Sequence, residues 1–278
     1  MISQFIHELF QFSFLQRALV TSVVIGIICG VIGCFIVLRS LALMGDAISH
    51  AVLPGVAISY MMGINFFYGA VVFGIMAALG IGFVNQNSKI KSDSSIGIVF
   101  SAFLALGVLL VTKAQSSIDL TEILFGNVLT VKEQDRTLTF IVAAIVLIIV
   151  VIFYKEFLLS TFDPTMAAAS GLPTKFIHYT IMVLLTLVTV ASLQTVGVIL
   201  VVSLLITPAS TAYLLTKRLS TMILLSALMS ISSIIGLFFS FTFNLPSGVV
   251  IVLVITAIFI ITFFLAPRNG LLWRMIKH

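Results

Sequence analysis

The sequence predicts an all-α polytopic membrane protein of eight or nine transmembrane helices, with one short helix outside the bilayer. Three observations point there. Hydrophobic residues make up 61% of the 278 residues and charged residues only 8%, where a soluble domain carries about a quarter charged. Mean hydropathy is +1.30. Uncharged runs such as "TLTFIVAAIVLIIVVIF" approach the ~20 residues needed to cross a ~30 Å hydrocarbon core. They do not alternate apolar and polar as the strands of a membrane barrel do.

Nine apolar segments follow in order: 18–38, 41–60, 64–84, 95–112, 136–153, 177–193, 196–215, 222–242 and 248–265. The first is too long for the core of a signal peptide and lacks a small-residue cleavage site, so no cleavable signal is expected. It carries Cys29 and Cys34, whose spacing puts them off a common helix face. They read as small buried residues and not as a disulfide or metal pair. Gly26, Gly30 and Gly33 in the same run form a small-xxx-small face for close helix packing.

Basic residues in short loops mark the cytoplasmic side. With the 154–176 loop inside, the inner set is Arg39, Lys89, Lys91, Lys155, Lys175, Lys217, Arg218, Arg268, Arg274 and Lys277, against Arg17, Lys113, Lys132 and Arg136 outside. Most acids (Glu8, Asp119, Glu122, Glu133 and Asp135) fall in the outer set. The C-terminus is therefore expected in the cytoplasm, and nine spans would put the N-terminus outside. The net charge of +5 is spread over these loops in a way that orients a membrane protein and does not build a nucleic-acid surface. No linker, low-complexity tract or internal repeat divides residues 1–278, which read as a single transmembrane domain.

The second segment contains "MGDAISHAVLPG". Asp46 and His50 stand four residues apart, so they share one helix face. Entering near Ser40 at ~1.5 Å per residue, His50 lies about 15 Å into the core. An ionised aspartate there costs at least ~2.5–3.5 kcal/mol. The two could hydrogen-bond to each other, Asp46 could neutralise a cation of another span, or the pair could relay protons. They could also hold a divalent cation. Carboxylate oxygen and imidazole nitrogen suit manganese, iron(II) or zinc, and the lack of nearby thiolates argues against copper(I). One helix offers two ligands where such a cation wants four to six. Two copies of the chain across a two-fold axis would supply two aspartates and two histidines. Ser49 sits between the pair. Pro54 deprives the carbonyl of His50 of its helical donor, which either leaves that carbonyl facing a polar pathway or makes a plain kink relieved by another donor.

"FDPTMAAASGLPTKF" reads as a short helix with both ends marked, about 163–171. Asp163 caps, Pro164 suits the first turn, and Thr165, Met166, Ala167, Ala168, Ala169 and Ser170 continue it. Gly171 fits the left-handed stop and Pro173 blocks continuation. A docking element for a cytoplasmic partner is expected. The seventh segment places Thr207 and Pro208 among Ser203, Ser210 and Thr211. These hydroxyls could line a pathway or repair backbone freed by the proline. "TEILFGNVLTV" in an outer loop reads as a short amphipathic or re-entrant piece.

"MGDAISHAVLPG", "LFGN", "FDPTMAAASGLP" and "TVGVILVVSLLITPASTAYL", in this order and spacing, closely resemble the membrane permeases of bacterial manganese, zinc and iron ABC importers. The likeness covers almost the whole chain and is closest to the manganese permeases of Gram-positive bacteria. It implies a type II importer fold in the bacterial cell membrane and a homodimer of this chain. It also implies two cytoplasmic ATPase subunits and an extracellular lipid-anchored metal-binding protein. By the resemblance, Asp46 and His50 are the metal ligands that hold the outer gate, and Asp163 to Gly171 form the coupling helix that seats on the ATPase. Zinc and manganese permeases share the aspartate–histidine turn, so that turn does not choose the metal.

No GxxxxGK[ST] phosphate loop is present, so ATP would be hydrolysed on a separate polypeptide. No permanently bound cofactor is expected, only the transported ion. A proton-coupled secondary metal transporter would need more intramembrane ionisable groups and favours inverted repeats. An intramembrane aspartyl protease would need a second membrane aspartate, while Asp93, Asp119, Asp135 and Asp163 all fall in loops. HExxH and GxSxG are absent, and His7, His178 and His278 read as interfacial.

Overall fold

Hydrocarbon offers backbone amides no partner, so apolar chain must close its hydrogen bonds locally. All regular structure among the described residues is accordingly helical. The structure, a computed structural model, describes residues 11–113, 133–243 and 245–266. In chain order the helices are α1 Ser13–Leu38, α2 Leu43–Ala51, α3 Leu53–Met62, α4 Phe66–Asn87, α5 Ser92–Lys113 and α6 Glu133–Ile152. After these come α7 Tyr154–Phe162, α8 Pro164–Ala169, α9 Thr174–Val196 and α10 Val198–Leu215. The last three are α11 Leu219–Met229, α12 Ser232–Phe243 and α13 Ser247–Leu265.

Eight described stretches are long and apolar enough to cross a bilayer: α1, α4, α5, α6, α9, α10, α11 with α12, and α13. The second expected segment, 41–60, is present as two short helices, α2 and α3, that meet at Val52. α1 starts a turn earlier than expected and takes in Arg17. The loop expected at 154–176 contains a further helix, α7. It follows α6 after a single non-helical residue, Phe153. The motif "LFGN", the residues Asp119, Glu122 and Lys132, both chain ends with His7, Glu8 and His278, and the basic residues Arg268, Arg274 and Lys277 lie outside the described residues.

α1, α9 and α10 form the buried centre, while α4, α5, α6 and α13 surround it with largely exposed apolar faces. α1 packs most extensively on α10 and also on α11. Glycine makes this approach possible: a Cβ on Gly33 would collide with the Leu205 carbonyl of α10. One face of α1 thus fits backbone against backbone, as its small residues predict. Ser226 of α11 donates a hydrogen bond to the Gly30 carbonyl (3.1 Å). The second close crossing is Gly55 of α3 on Gly69 of α4. Cys29 and Cys34 are buried free thiols.

Candidate functional site

α2 is apolar and buried on most sides: Met44, Gly45, Ala47, Ile48, Ser49 and Ala51 are all inside. Its inward side meets the scaffold at Leu205, whose Cδ1 lies against Gly45. Asp46 and His50 turn the other way. Their side chains are 50% and 24% exposed on the surface of the single chain, with His50 Nε2 at 3.6 Å from Asp46 Oδ1. That is ion-pair range but too long for a hydrogen bond, so the two do not satisfy one another. The expected alternative of a cation from another span finds no support among the described residues, where His50 is the basic group recorded within ion-pair distance of Asp46. The His50 ring stands edge-on to Phe100 of α5 at 5.8 Å. Among the described residues no group of three or more His, Cys, Asp or Glu side chains converges as a metal cage. The single chain brings one carboxylate and one imidazole together here.

Ser49 does not join the pair. It is buried and its hydroxyl donates to the Gly45 carbonyl at 2.9 Å. Pro54 sits in the first turn of α3, where a missing N–H is harmless. The carbonyl of His50 is not left free, as one reading of the sequence had it. A backbone N–H at the end of α2 donates to it, so the break is a tightened turn. Pro208 differs: α10 runs through it unbroken. Thr211 donates its hydroxyl to the Thr207 carbonyl at 2.7 Å, and Ser203 Oγ nearby is buried without a partner. Pro208 is buried and Thr207 partly so.

The short helix expected at about 163–171 forms with the expected end signals. Asp163 accepts from the Met166 N–H at 2.9 Å and from the Thr165 hydroxyl at 2.6 Å. These hydrogen bonds hold its carboxyl below the usual aspartate range. Pro164 opens α8, Ala169 is its last residue and Ser170 its C-cap. Gly171 takes φ +81°, and its N–H donates to the Ala168 carbonyl. Ala167 is buried, whereas Met166 is 56% exposed. This leaves α8 with one anchored face and one free apolar knob.

A cluster that linear spacing could not reveal lies at this end. Arg39, the C-cap of α1, donates from Nε to Thr161 Oγ1 (3.1 Å) and from Nη2 to Ser160 Oγ (3.1 Å). Its Nη1 stands 3.4 Å from His178 Nδ1. Burial lowers the guanidinium pKa to about 10, so it stays a cation at neutral pH. Its partners come from α7 and α9, 121 to 139 residues away. From the sequence, Arg39 had read as an inner loop charge and His178 as interfacial.

The chain matches the ABC 3 transport family over residues 11–266. It is 64% identical over 270 residues to the manganese transport system membrane protein MntC of Listeria monocytogenes, covering 97% of this chain and 96% of that one. It is 53% identical to the manganese import system permease protein ScaB of Streptococcus gordonii, over the full length of both. Its fold matches a solved structure of PsaBC from Streptococcus pneumoniae in complex with Fab, with a TM-score of 0.89, 50% identity and full coverage of both chains.

Proposed function

The chain belongs to the ABC 3 transport family, the membrane permeases of ABC importers, and from that premise we propose that it conducts manganese(II) into a bacterial cell. The whole chain, 1–278, acts as one multi-pass unit in the plasma membrane with its C-terminus in the cytoplasm. Two copies face each other, and each contributes Asp46 and His50 to a shared gate. An extracellular lipid-anchored protein delivers the ion. Two cytoplasmic ATPase subunits seat on α8, Asp163 through Gly171, and supply the energy. Hydrolysis belongs to them, so the chain itself is not an enzyme.

The observation that carries this reading is the outward turn of Asp46 and His50 on a helix otherwise buried in its own chain. A carboxylate and an imidazole held apart from each other remain free to bind an ion. Two oxygens and two nitrogens from a symmetric pair make a four-donor site for a first-row divalent cation. Pro54, at the α2–α3 break, lets α2 move relative to α3. Thr207 and Pro208 serve the α10 side of the pathway, and Ser49 lies beneath the ligands with its hydroxyl turned back on the Gly45 carbonyl. Manganese as the cargo rests on the relatives' names. By intrinsic affinity zinc outcompetes manganese at nitrogen–oxygen sites, so selectivity falls to geometry or to the delivering protein.

The test is uptake by the importer reconstituted in liposomes with manganese, zinc and iron(II) in competition. ATP-dependent manganese uptake that vanishes in Asp46→Ala and His50→Ala supports the proposal. Preference for zinc or iron would reassign the cargo within the family. Uptake that persists without the ATPase would point to a proton-coupled secondary transporter.

A further inference from the structure

The turn between α1 and α2 places Arg39 seven residues before Asp46, and the guanidinium grips both arms that flank α8. Ser160 and Thr161 lie in the last turn of α7, which runs into α8 through Asp163, and His178 lies in the second turn of α9, which follows α8. Any displacement of α8 therefore reaches the root of the helix carrying the proposed gate. All three partners are neutral acceptors, and among the described residues no carboxylate lies within ion-pair range of Arg39.

A carboxylate nevertheless waits close by. Glu156 Oε2 is buried with no hydrogen-bond partner, and Glu156 stands four residues before Ser160 on α7, hence on the same helix face. The register of α1 on α7 is visible in two rungs. Phe35 packs edge-on to Phe157 at 5.7 Å, and Arg39 bonds Thr161 at 3.1 Å. Glu156 therefore lies about one helical turn, ~5.4 Å, back along α7 from the hydroxyls the guanidinium now holds. An open cavity of about 310 Å³ borders the cluster, with Arg39, Ser160, Pro164, Lys175 and His178 among its lining, so the guanidinium is not packed in on every side.

We propose that Arg39 is a positioning residue that couples α8 to the Asp46–His50 helix by exchanging the hydroxyls of Ser160 and Thr161 for the carboxylate of Glu156 as α7 shifts by one turn along α1. One oxygen of the half-buried Glu156 side chain is left without a donor, which a second state that pairs it would account for, and one-turn ratchets between packed helices are a known form of two-state motion. This inference rests on the reading of the chain as a metal permease driven through α8.

The test uses the whole importer in liposomes, with manganese uptake and ATP hydrolysis read on the same samples. Arg39→Gln is expected to lower manganese uptake by about tenfold while most hydrolysis persists, the size of a typical coupling free energy between sites. Glu156→Gln lowers uptake per ATP in the same way, and the double variant is no worse than the poorer single one, as residues acting as one pair require. Should Arg39→Gln fail to reach the membrane, Ser160→Ala combined with Thr161→Val carries the test: it leaves both charges in place and is expected to reduce uptake per ATP. Unchanged uptake in these variants, uptake and hydrolysis falling in step, or losses that multiply in the double variant would each overturn the proposal. A wild-type importer that moves no manganese, zinc or iron would instead overturn the reading beneath it.

Discussion

α1 and the α2–α3 segment are built from similar apolar sequence and put it to opposite uses. α1 runs 26 residues without a break and spends its small residues on contact, with Gly33 against the Leu205 carbonyl and Gly30 accepting from Ser226. The next segment is divided into helices of 9 and 10 residues and turns its two ionisable side chains outward. Leu205 touches both, with its carbonyl at Gly33 and its side chain at Gly45. The scaffold therefore ends where α2, the proposed gate helix, begins. Substitutions in α1 should cost the fold, and substitutions on the outer face of α2 should cost transport alone.

The largest effect expected is on α2. Asp46→Ala or His50→Ala should cut manganese uptake by about 100-fold, at the upper end of what loss of a metal-site group produces. The amount of protein in the membrane should match wild type by immunoblot. A parallel fall in protein level would erase the distinction between the two regions. Gly33→Val tests the other side. Overpacking a close helix contact costs about 1–3 kcal/mol, so thermal stability in detergent should drop while uptake per folded molecule is kept.

Pro54→Ala sharpens the comparison within the gate segment. The His50 carbonyl already has a donor, so the proline is not needed to expose it. Restoring an N–H should let α2 and α3 fuse and slow uptake by about threefold, a fraction of the ~3 kcal/mol that an interior proline costs a helix. Unchanged uptake would show that the break has no part in gating. Asp163→Ala removes the cap of α8 and should weaken retention of the ATPase on purification, with the permease still folded.

The smallest effect is in pH. Hydrogen bonds from Thr165 and Met166 depress the Asp163 carboxyl in the folded state. Its contribution is therefore complete above the unfolded value of ~3.9 and is lost as pH falls through the lower folded value. ATPase retention should stay flat from about pH 8 to pH 5. A decline within that window would mean that another group carries the docking.

The spans were legible because hydrocarbon forces helix on any long apolar run, and the aspartate–histidine turn because charge is conspicuous there. The ends of α8 were legible because Asp163, Pro164 and Gly171 each have one conformational job. α7 was not: residues 154–176 read as an inner loop carrying Lys155, although Phe157 is buried against Phe35. The outcome at the two prolines was equally hidden. Pro54 sits at a helix start and Pro208 inside an unbroken helix, and nothing local distinguishes them. Arg39 found its partners through tertiary packing, across distances in sequence that no periodicity spans.

The direct measurement is the stoichiometry and ligand set of manganese bound to the purified permease, by metal analysis together with nitrogen hyperfine couplings in electron paramagnetic resonance. One manganese(II) per two chains, coordinated by two imidazoles and lost in Asp46→Ala, is the predicted result. One ion per chain with a single imidazole, or binding retained in that variant, would contradict a gate shared between two copies.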